Sequence, residues 1–406
     1  MELTLNDIKE AQQNIKSVVK RTDLIYDYST SQQFGGNVYL KLENTQIVKS
    51  FKIRGAANAI AQLSPEQKKA GVITASAGNH AQGVAYSASQ LGIKSVIVMP
   101  NSTPLNKVDA TLGFGGEVVF GPTAYFDDAN QLAVEMAKKN NYVYIPPYDH
   151  KDVMAGQGTI GIEILEQNPQ IDLVICQIGG GGLIAGVATA IKAINPKCEI
   201  IGVQTENFPD ARDIYKGDKL VTKYKYVPCI ADGIQVKQPS LDAMQIVKKY
   251  VSDVITVTNE EIQNAILWIA EKCKVVAEGA GATGMAAILS GKIDIKNRNV
   301  AVIISGGNID IDRLISCCSA TLTKDKRTTT FSFTNNNETF PIFQKALQTI
   351  GGRAYLTNKG IAILANEHLL KEGLIDLMLY APNAKKTGEF FAILKKHKID
   401  FELKDK

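Results

Sequence analysis

The sequence predicts an α/β protein with a mostly parallel sheet, followed by a small α+β domain of ferredoxin-like pattern. Short apolar runs alternate with helical stretches between positions 53 and 304, which is typical of βαβ units. After about residue 320 the order of elements changes to βαββαβ, the ferredoxin-like arrangement. The chain has 406 residues, 45% hydrophobic and 21% charged, so a sizeable core and two or three compact units are expected.

The elements of the first part follow from apolar periodicity and from residues that cap helices. Residues 7–19 carry apolar side chains at helical spacing, and Thr4 or Asn6 could cap that helix. Further helices are predicted over residues 53–63, 79–91, 105–112, 124–140, 156–167, 183–194, 240–249 and 259–272, the last capped by Thr258 or Asn259. Strands are predicted at residues 38–42, 72–73, 95–99, 118–120, 142–145, 173–176, 200–203, 254–257 and 300–304.

A polar segment, residues 321–327, predicts a linker between a domain of residues 1–320 and a domain of residues 327–406. The second domain has predicted strands over 328–334, 353–364 (with a break at 358–360), 375–380 and 399–403, and predicted helices over 338–350 and 384–397. Such a small unit has little catalytic equipment, so we expect it to bind a ligand or a partner.

Charge and composition exclude several classes of partner and location. The formal net charge is +4 and no block of lysine and arginine stands out, so neither nucleic acid nor a membrane is an expected partner. The apolar run of residues 173–191 contains Gln177 and four consecutive glycines, which fits a strand, loop and helix better than a bilayer span. The first residues carry acids, so we expect no signal peptide. Six cysteines without a C-x-x-C spacing fit reduced thiols in a cytoplasmic protein.

The first candidate for chemistry is Lys52, which lies in the hexapeptide SFKIRG of residues 50–55. It stands between Phe51 and Ile53 after a predicted strand, where an unpaired ammonium would be unfavourable to bury. Such a lysine is useful when a carbonyl compound condenses with it, because desolvation lowers the pKa of the amine and exposes a nucleophile. The alternative is a surface lysine on the first turn of a helix, and this stretch alone does not decide between them.

The second candidate is a loop of four glycines between a predicted strand and the next helix: Gly179, Gly180, Gly181 and Gly182. Backbone N–H groups in such a loop can surround an anion, and the helix N-terminus adds a favourable dipole. The loop therefore predicts a phosphate site, although it is not a Walker motif. A loose dinucleotide fingerprint from Gly180 to Ala185 leaves an NAD-linked oxidoreductase open, but the acid expected about 20 residues later is present only as Glu206.

Two further turns carry polar groups at the ends of predicted strands. The first consists of Ser76, Ala77, Gly78, Asn79 and His80. Its backbone N–H groups could hold a carboxylate and Asn79 offers an amide donor, although helix capping alone is an alternative. His80 taken singly is better explained as a packed or capping histidine than as an acid or base. The second turn, residues 305–308, begins with Ser305, whose hydroxyl could hydrogen-bond a ring nitrogen.

One ligand would use all of these features together. The lysine would react with an aldehyde, and the glycine loop would bind a phosphate. Ser305 would bind a ring nitrogen, and the turn at 76–80 would bind the carboxylate of an amino acid. Pyridoxal 5'-phosphate condensed with an amino acid has these groups, and its ring carries the electron-sink chemistry. The sequence therefore predicts a pyridoxal phosphate enzyme with an amino-acid substrate, and it assigns no residue to a metal ion.

These motifs closely resemble the threonine dehydratases (threonine ammonia-lyases) of the tryptophan-synthase-β-like group of pyridoxal phosphate enzymes. The resemblance covers roughly residues 5–320 and is carried by the stretches 50–55, 76–83, 154–159, 179–182, 230–233, 278–282 and 305–308. It implies a large and a small α/β subdomain with the cofactor between them, the small one at about residues 50–150. The C-terminal part resembles the ACT-like regulatory domain of many such enzymes in length and pattern only.

The resemblance also implies roles for residues of this chain. Lys52 would form the Schiff base with the cofactor and later move the α-proton of the substrate. Phe51 and Asn79 would bracket the cofactor ring, with Asn79 reaching its phenolic oxygen. The glycine loop would hold the phosphate, Ser305 the pyridine nitrogen, and the 76–80 turn the substrate carboxylate.

The activity implied is elimination from L-threonine to give 2-oxobutanoate and ammonia, as the first step of isoleucine biosynthesis, with weaker action on L-serine. An amino-acid effector such as isoleucine could bind the C-terminal domain, and a homodimer or homotetramer is expected. The alternative within the family is a serine racemase, whose pattern has serine where this chain has Ala77 and a metal-binding glutamate where it has Gln204. Outside the family, an NAD-linked oxidoreductase and a non-catalytic amino-acid sensor are weaker alternatives.

Overall fold

The computed structural model describes residues 2–218, 228–356 and 373–404, and the chain divides into two compact units, Met1–Asp310 and Ile311–Lys406. The first unit has the strands β1 (Leu24–Tyr26), β2 (Asn37–Leu42), β3 (Val72–Ala75), β4 (Ser95–Met99), β5 (Glu117–Phe120), β6 (Val143–Tyr144), β7 (Leu173–Gln177), β8 (Glu199–Thr205), β9 (Asp253–Val257) and β10 (Asn299–Ile304). Its α-helices are α1 (Leu5–Asn14), α2 (Tyr28–Phe34), α3 (Lys52–Ala61), α4 (Pro65–Ala70), α5 (Asn79–Gln90), α6 (Leu105–Gly113), α7 (Phe126–Asn140), α8 (Lys151–Gln167), α9 (Gly182–Ile194), α10 (Asp210–Lys216), α11 (Leu241–Tyr250), α12 (Asn259–Trp268) and α13 (Gly279–Leu289).

Two sheets form the framework of the first unit. The larger sheet has the order β1-β2-β10-β7-β8-β9, with all neighbours parallel except β1 and β2. The smaller sheet has the order β5-β4-β3-β6 and is parallel throughout. Every residue of β4 and β7 is buried, as expected of parallel strands covered by helices on both faces. The predicted α/β fold with mostly parallel sheets is confirmed.

The candidate functional residues lie at the carboxyl ends of these strands. Lys52 follows β2 after a short 3-10 turn, the glycine loop follows β7, and Ser305 follows β10. Because β2, β10 and β7 are neighbours in that order, the three loops meet at one edge of the larger sheet. The turn at 76–80 follows β3 in the same way at the edge of the smaller sheet.

Helix α8 contacts the backbones of two helices that begin at candidate functional residues. A Cβ atom on Gly156 of α8 would lie 2.4 Å from the carbonyl oxygen of Arg54 in α3. A Cβ atom on Gly186 of α9 would lie 2.1 Å from a carbonyl oxygen of α8. No larger residue fits at either position without a backbone shift. Helices α3 and α9, which start at Lys52 and Gly182, therefore both pack directly on the backbone of α8.

A buried cluster of four charged side chains joins β2, α3 and α8: Lys41, Glu43, Arg54 and Glu163. Arg54 donates two hydrogen bonds of 2.8 Å to Glu43 and bonds of 2.7 and 2.8 Å to Glu163. Lys41 Nζ donates to Glu163 at 2.6 Å. Desolvation alone would raise the pKa of Glu43, but Arg54 and Lys41 hold it below its ordinary value. The cluster is thus a network of two cations and two anions that compensate each other in the core.

The second unit consists of α14 (Ile311–Lys324), β11 (Thr328–Asn335), α15 (Thr339–Ile350), β12 (Arg353–Leu356), β13 (Gly373–Tyr380), α16 (Ala384–Lys396) and β14 (Phe401–Leu403). Its antiparallel sheet has the order β12-β13-β11-β14, as expected of a βαββαβ unit. A core rich in phenylalanine fills this unit, and the rings of Phe333 and Phe343 stack 4.7 Å apart. The predicted small α+β fold is confirmed. In the described ranges no helix is long and apolar enough to cross a membrane.

Some predicted boundaries differ from the structure. Helix α1 ends at Asn14 rather than residue 19, because Ile15 and Val18 pack inward from the turns that follow it. Helix α8 begins at Lys151, five residues before the predicted start at residue 156, and His150 is its N-terminal cap. The segment 321–327, predicted as a linker, includes the end of α14, and the two units divide after Asp310. Residues 357–364 of a predicted strand lie outside the described residues.

Candidate active site

Lys52 is the first residue of α3, and its amine contacts the backbone of a loop that follows the last strand of the smaller sheet. Nζ donates a hydrogen bond of 2.7 Å to the carbonyl oxygen of Pro147, which follows β6. The side chain is partly buried, and desolvation lowers the pKa of the amine to about 8, although Glu278 opposes this shift. A primary amine with this pKa is partly neutral, and hence nucleophilic, near neutral pH.

A single cavity brings this lysine and the glycine loop together. Its wall includes Phe51, Lys52 and all four glycines from Gly179 to Gly182. The rest of the wall consists of Pro147, Tyr148, Gln157, Gln177, Leu183, Gly233 and Ile234. The two candidates that the sequence places 127 to 130 positions apart are therefore parts of one site.

The glycines are needed because their neighbours leave no room for side chains. A Cβ atom on Gly180 would lie 2.3 Å from the ring of Tyr148, and one on Gly179 would lie 3.0 Å from Cα of Ile234. Gly181 has a φ of +94°, which L side chains rarely adopt. The first N–H groups of α9 have no acceptor within the helix, so the loop presents backbone donors suited to a phosphate.

Two buried amide groups complete the wall of the cavity. The side-chain oxygens of Gln157 and Gln177 are buried without a hydrogen-bond partner among the described residues. The amino group of Gln177 is fixed by the carbonyl oxygens of Gly281 and Ile303, at 3.2 and 2.5 Å. A buried acceptor without a donor is unfavourable, so a polar ligand or water that donates to these oxygens would stabilise the site.

The turn from Ser76 to His80 forms the N-terminus of α5. Ser76 Oγ accepts a bond of 3.2 Å from the N–H of Gly78, and Ala77 and Gly78 are half-buried. His80 is buried, and its Nε2 lies 2.9 Å from the carbonyl oxygen of Ile145, so Nε2 carries the proton. Desolvation and the nearby Lys52 lower the pKa of His80 to about 3. His80 is therefore a packed, neutral histidine that offers an anion its backbone N–H but no charge.

Asn79 and Ser305 lie beside the cavity wall rather than in it. The backbone oxygen of Ser305, which is buried, accepts a bond of 3.0 Å from the N–H of Phe51. Asn79 Nδ2 donates to Glu278 Oε1 at 2.8 Å. Glu278 in turn is close enough to Lys52 to affect the pKa of its amine. All the residue groups proposed from the sequence thus surround the start of α3.

Sequence reasoning did not assign roles to four residues that the structure adds: Pro147, Tyr148, Gln157 and Glu278. Gln157 and Glu278 lie in the stretches 154–159 and 278–282, which carry part of the resemblance. Pro147 and Tyr148 follow the predicted strand 142–145, and the rule that ligands bind at the carboxyl ends of parallel strands could have found them. In the described parts of the chain, no group of three or more His, Cys, Asp or Glu side chains is placed to hold a metal ion.

Comparison with known proteins decides what kind of enzyme this site belongs to. The sequence profile described as "Pyridoxal-phosphate dependent enzyme" matches residues 15–306. The chain belongs to this family. The cofactor of the pyridoxal-phosphate dependent enzymes is the ligand predicted from the sequence, and that prediction is confirmed.

Similar proteins within the pyridoxal-phosphate dependent enzymes include two curated relatives. An L-threonine ammonia-lyase of Thermotoga maritima is 49% identical over 77% of this chain and 78% of its own length. A catabolic L-threonine dehydratase of Staphylococcus aureus is 48% identical over 77% of this chain and 91% of its own length.

Solved structures of similar proteins include a threonine deaminase isoform from Solanum lycopersicum and a maize serine racemase. The first has a TM-score of 0.71 and 36% identity over 77% of this chain and 93% of its own. The second has a TM-score of 0.72 and 34% identity over 80% of this chain and 99% of its own. The fold alone therefore does not separate an ammonia-lyase from a racemase.

The site fits pyridoxal phosphate on the evidence of its own residues. Lys52 offers an amine of lowered pKa for the aldehyde. The glycine loop offers backbone donors for the phosphate, and the neighbours of its glycines leave no room for a Cβ atom. Both line the same cavity, in which two buried amide oxygens lack donors from the described residues.

Replacing Gly180 by alanine is expected to weaken cofactor binding. The new methyl group would overlap the ring of Tyr148, and overpacking of this kind costs about 1–3 kcal/mol, or about 5- to 150-fold in affinity. Cofactor titration followed by absorbance measures the change. Gly113→Ala is the matched control, because a Cβ atom on Gly113 would meet nothing within 4 Å. Equal affinities for the two variants would contradict this account of the loop.

Proposed function

We propose that the protein is a threonine ammonia-lyase, which converts L-threonine into 2-oxobutanoate and ammonia with pyridoxal phosphate. The observation that carries the proposal is the shared cavity of Lys52, whose amine has a pKa of about 8, and the glycine loop. Two relatives about half identical to this chain are named for this activity on threonine, which supports the choice of substrate.

We propose that residues at the strand ends hold the cofactor and the substrate. Lys52 would bind the cofactor aldehyde covalently. The loop from Gly179 to Gly182 would bind the cofactor phosphate, and Ser305 would face the ring nitrogen. Phe51, in the cavity wall next to Lys52, would pack on the ring. Asn79 would donate a hydrogen bond to the oxygen substituent of the ring.

The proton transfer would be carried by Lys52. When bound, pyridoxal phosphate supplies a conjugated ring that accepts the electron pair left by removal of the α-proton. The free amine of Lys52, with its lowered pKa, is neutral often enough near pH 8 to accept that proton. The carbonyl oxygen of Pro147 lies 2.7 Å from the amine and would hold it in the site whenever it is not covalently bound.

The substrate carboxylate would be bound by backbone N–H groups of the 76–80 turn. The first N–H groups of α5 lack acceptors within the helix, and the helix dipole favours an anion there. Because His80 is neutral, its side chain adds no charge to this site. Recognition of the carboxylate would depend on the backbone and not on a cationic side chain of this turn.

The test is release of 2-oxoacid from L-threonine by the purified protein, with L-serine and D-serine formation measured in parallel. Release from threonine that exceeds release from serine supports the proposal. Threonine differs from serine by one methyl group, and an enzyme can use such a difference for only about 1–3 kcal/mol of discrimination, so some action on serine is expected. Interconversion of L- and D-serine without 2-oxoacid would favour the racemase instead. Ala77 argues against that outcome, because alanine has no proton to give to the opposite face of a substrate.

We further propose that the C-terminal unit is regulatory and binds an amino-acid effector, with isoleucine as the first candidate. Its ferredoxin-like sheet and phenylalanine core resemble a binding module more than a catalytic one. A catalytic domain of about residues 1–320, with a small subdomain at about 50–150, and a homodimer or homotetramer are part of the same proposal. Threonine deamination that falls sharply on addition of L-isoleucine supports this role, and unchanged rates point to another effector.

The lowered pKa of Lys52 gives a prediction for reloading of the cofactor-free protein. Only the neutral amine attacks an aldehyde, so the rate should rise about tenfold per pH unit below about pH 8 and level off above it. The appearance of absorbance above about 400 nm after mixing with pyridoxal phosphate measures this rate. A midpoint near the ordinary lysine pKa of 10.5 would mean that the amine is not desolvated.

A further inference from the structure

Three polar side chains form a chain of hydrogen bonds across the first unit: Asn308, Asn79 and Glu278. Asn308 Nδ2 donates to Asn79 Oδ1 at 2.7 Å, and Asn79 Nδ2 donates to Glu278 Oε1 at 2.8 Å. Asn79 begins α5 beside the smaller sheet, whereas Glu278 precedes α13 and Asn308 follows β10 of the larger sheet. The chain therefore joins the parts of the protein that flank Lys52.

The partners on either side fix the orientation of the Asn79 amide. An ionised carboxylate only accepts hydrogen bonds, so the amino group of Asn79 must face Glu278. The carbonyl oxygen of Asn79 then accepts from Asn308, whose amino group also donates to the carbonyl oxygen of Val48 at 2.9 Å. One N–H of Asn79 remains for another acceptor. A flipped amide would set its oxygen against the carboxylate and is excluded while Glu278 is charged.

Glu278 is itself held in place on all sides. Its side chain is 7% exposed, and a Cβ atom on Gly306 would lie 2.4 Å from Oε1, so the carboxylate is packed directly on that backbone. The backbone N–H of Asn308 also donates to it. The charged groups that face it are Lys52 from α3, Asp232 from a 3-10 turn and Lys107 from α6. Desolvation, reinforced by Asp232, raises the pKa of Glu278 to about 7.

We propose that Glu278 is a positioning residue that, together with Asn308, holds the Asn79 amino group as a hydrogen-bond donor toward the oxygen substituent of the cofactor ring. The inference rests on the proposed function, since it takes Asn79 as a contact of pyridoxal phosphate. It goes beyond that function because it assigns Glu278 a role through Asn79, without contact with cofactor or substrate.

Glutamine is the informative replacement at this position, because it keeps the shape but has one acceptor oxygen instead of two. The carboxylate accepts from both Asn79 Nδ2 and the N–H of Asn308. Glutamine can turn either its oxygen or its amino group toward Asn79, so in Glu278→Gln the orientation of the Asn79 amide is no longer fixed by its partner. We expect kcat to fall about 10- to 100-fold with less than about threefold change in KM, since loss of a hydrogen bond to a charged group has this size.

The loss of activity at low pH distinguishes a positioning role of Glu278 from a purely structural one, because a purely structural role would not change the pH dependence. Below about pH 7 Glu278 takes up a proton and loses acceptor capacity, so the wild-type holoenzyme should lose activity there and its cofactor absorbance band should shift. Asp232→Asn removes the negative charge that helps to raise this pKa, and we expect the midpoint to move to lower pH with the plateau unchanged. In Glu278→Gln the absorbance band should no longer respond to pH in this range.

The experiment records kcat, KM and the cofactor absorbance spectrum of the three holoenzymes from pH 6 to pH 9, with thermal unfolding of each. The expected result is a lowered kcat and a pH-independent absorbance band in Glu278→Gln, and a pH midpoint shifted to lower pH in Asp232→Asn. A Glu278→Gln enzyme that keeps the wild-type spectrum and kcat overturns the inference. This holds even if the variant unfolds at a lower temperature than the wild type. Absence of the band and of 2-oxoacid release in the wild type would instead reject the proposed function.

Discussion

Replacement of Lys52 by alanine is expected to lower 2-oxoacid release from threonine by at least about 10³-fold and to abolish the cofactor absorbance above about 400 nm. Two functions are lost together, because the same amine would bind the aldehyde covalently and move the α-proton. The amine contacts the carbonyl oxygen of Pro147 and lines the cavity with the glycine loop, and among the described residues that line the cavity there is no second lysine. Assay of product and a spectrum of the same sample measure both losses.

The matched control for this substitution is Lys139→Ala, at an exposed position of α7. Its activity and spectrum should equal those of the wild type. Addition of a small primary amine to Lys52→Ala should restore part of the proton transfer but not the covalent link. Undiminished activity of Lys52→Ala without added amine would disprove the central assignment.

Replacement of Arg54 by methionine is expected to give the largest loss of stability, about 3–5 kcal/mol in the free energy of unfolding. Removing one partner of a buried ion pair leaves an uncompensated charge, and here Glu43 and Glu163 would share Lys41 alone. Glu43 is fully buried, so it has no access to water in place of the guanidinium. Urea unfolding of the variant and the wild type at pH 8 measures the difference.

The dependence of this loss on pH separates an electrostatic cause from a packing defect. With Arg54 present, the pKa of Glu43 lies below its ordinary value, so its contribution to stability is present at neutral pH and is lost as the pH falls through that lowered pKa. Without Arg54, desolvation should raise the pKa of Glu43, and its protonation at low pH should relieve the unpaired charge. The difference in unfolding free energy should therefore be smaller at pH 5 than at pH 8.

Arg298→Met is the matched control, because Arg298 also pairs with two carboxylates, but those of Asp172 and Glu199 are 44% and 48% exposed. Exposed ion pairs contribute about 0–1 kcal/mol, so this variant should unfold almost as the wild type does. Similar losses for the two arginine variants would show that burial of the cluster around Arg54 has no special energetic effect.

Most strands could be predicted because each is a short apolar run that carries its own signal. The run Ser95–Met99 was predicted with the bounds that the structure has. Helix α13 was missed because its sequence, GAGATGMAAIL, has no alternation of apolar and polar residues. It is helical because it is buried on every side, and Gly281 lets it approach the backbone so closely that a Cβ atom there would lie 2.6 Å from the oxygen of Gly306. Tertiary packing of this kind leaves no local pattern.

The candidate site was predictable where a residue type was unusual for its local setting. Lys52 between two apolar residues and four consecutive glycines are such cases, and both line the cavity. Glu278 gave no comparable signal, because its partner Asn79 lies 199 positions away and a single glutamate before a helix is common. The neutral state of His80 likewise depends on burial against Ile145 and on the nearby Lys52, which only the folded structure supplies.

The direct contact of α8 with the backbones of α3 and α9 has a consequence for how this protein can change. Main-chain contacts at Gly156 and Gly186 connect the helix that begins at the lysine to the helix that follows the glycine loop. Exchange of one apolar core residue for another should therefore alter stability while the spacing between lysine and glycine loop stays the same. Directed evolution of this protein should therefore leave these two glycines untouched.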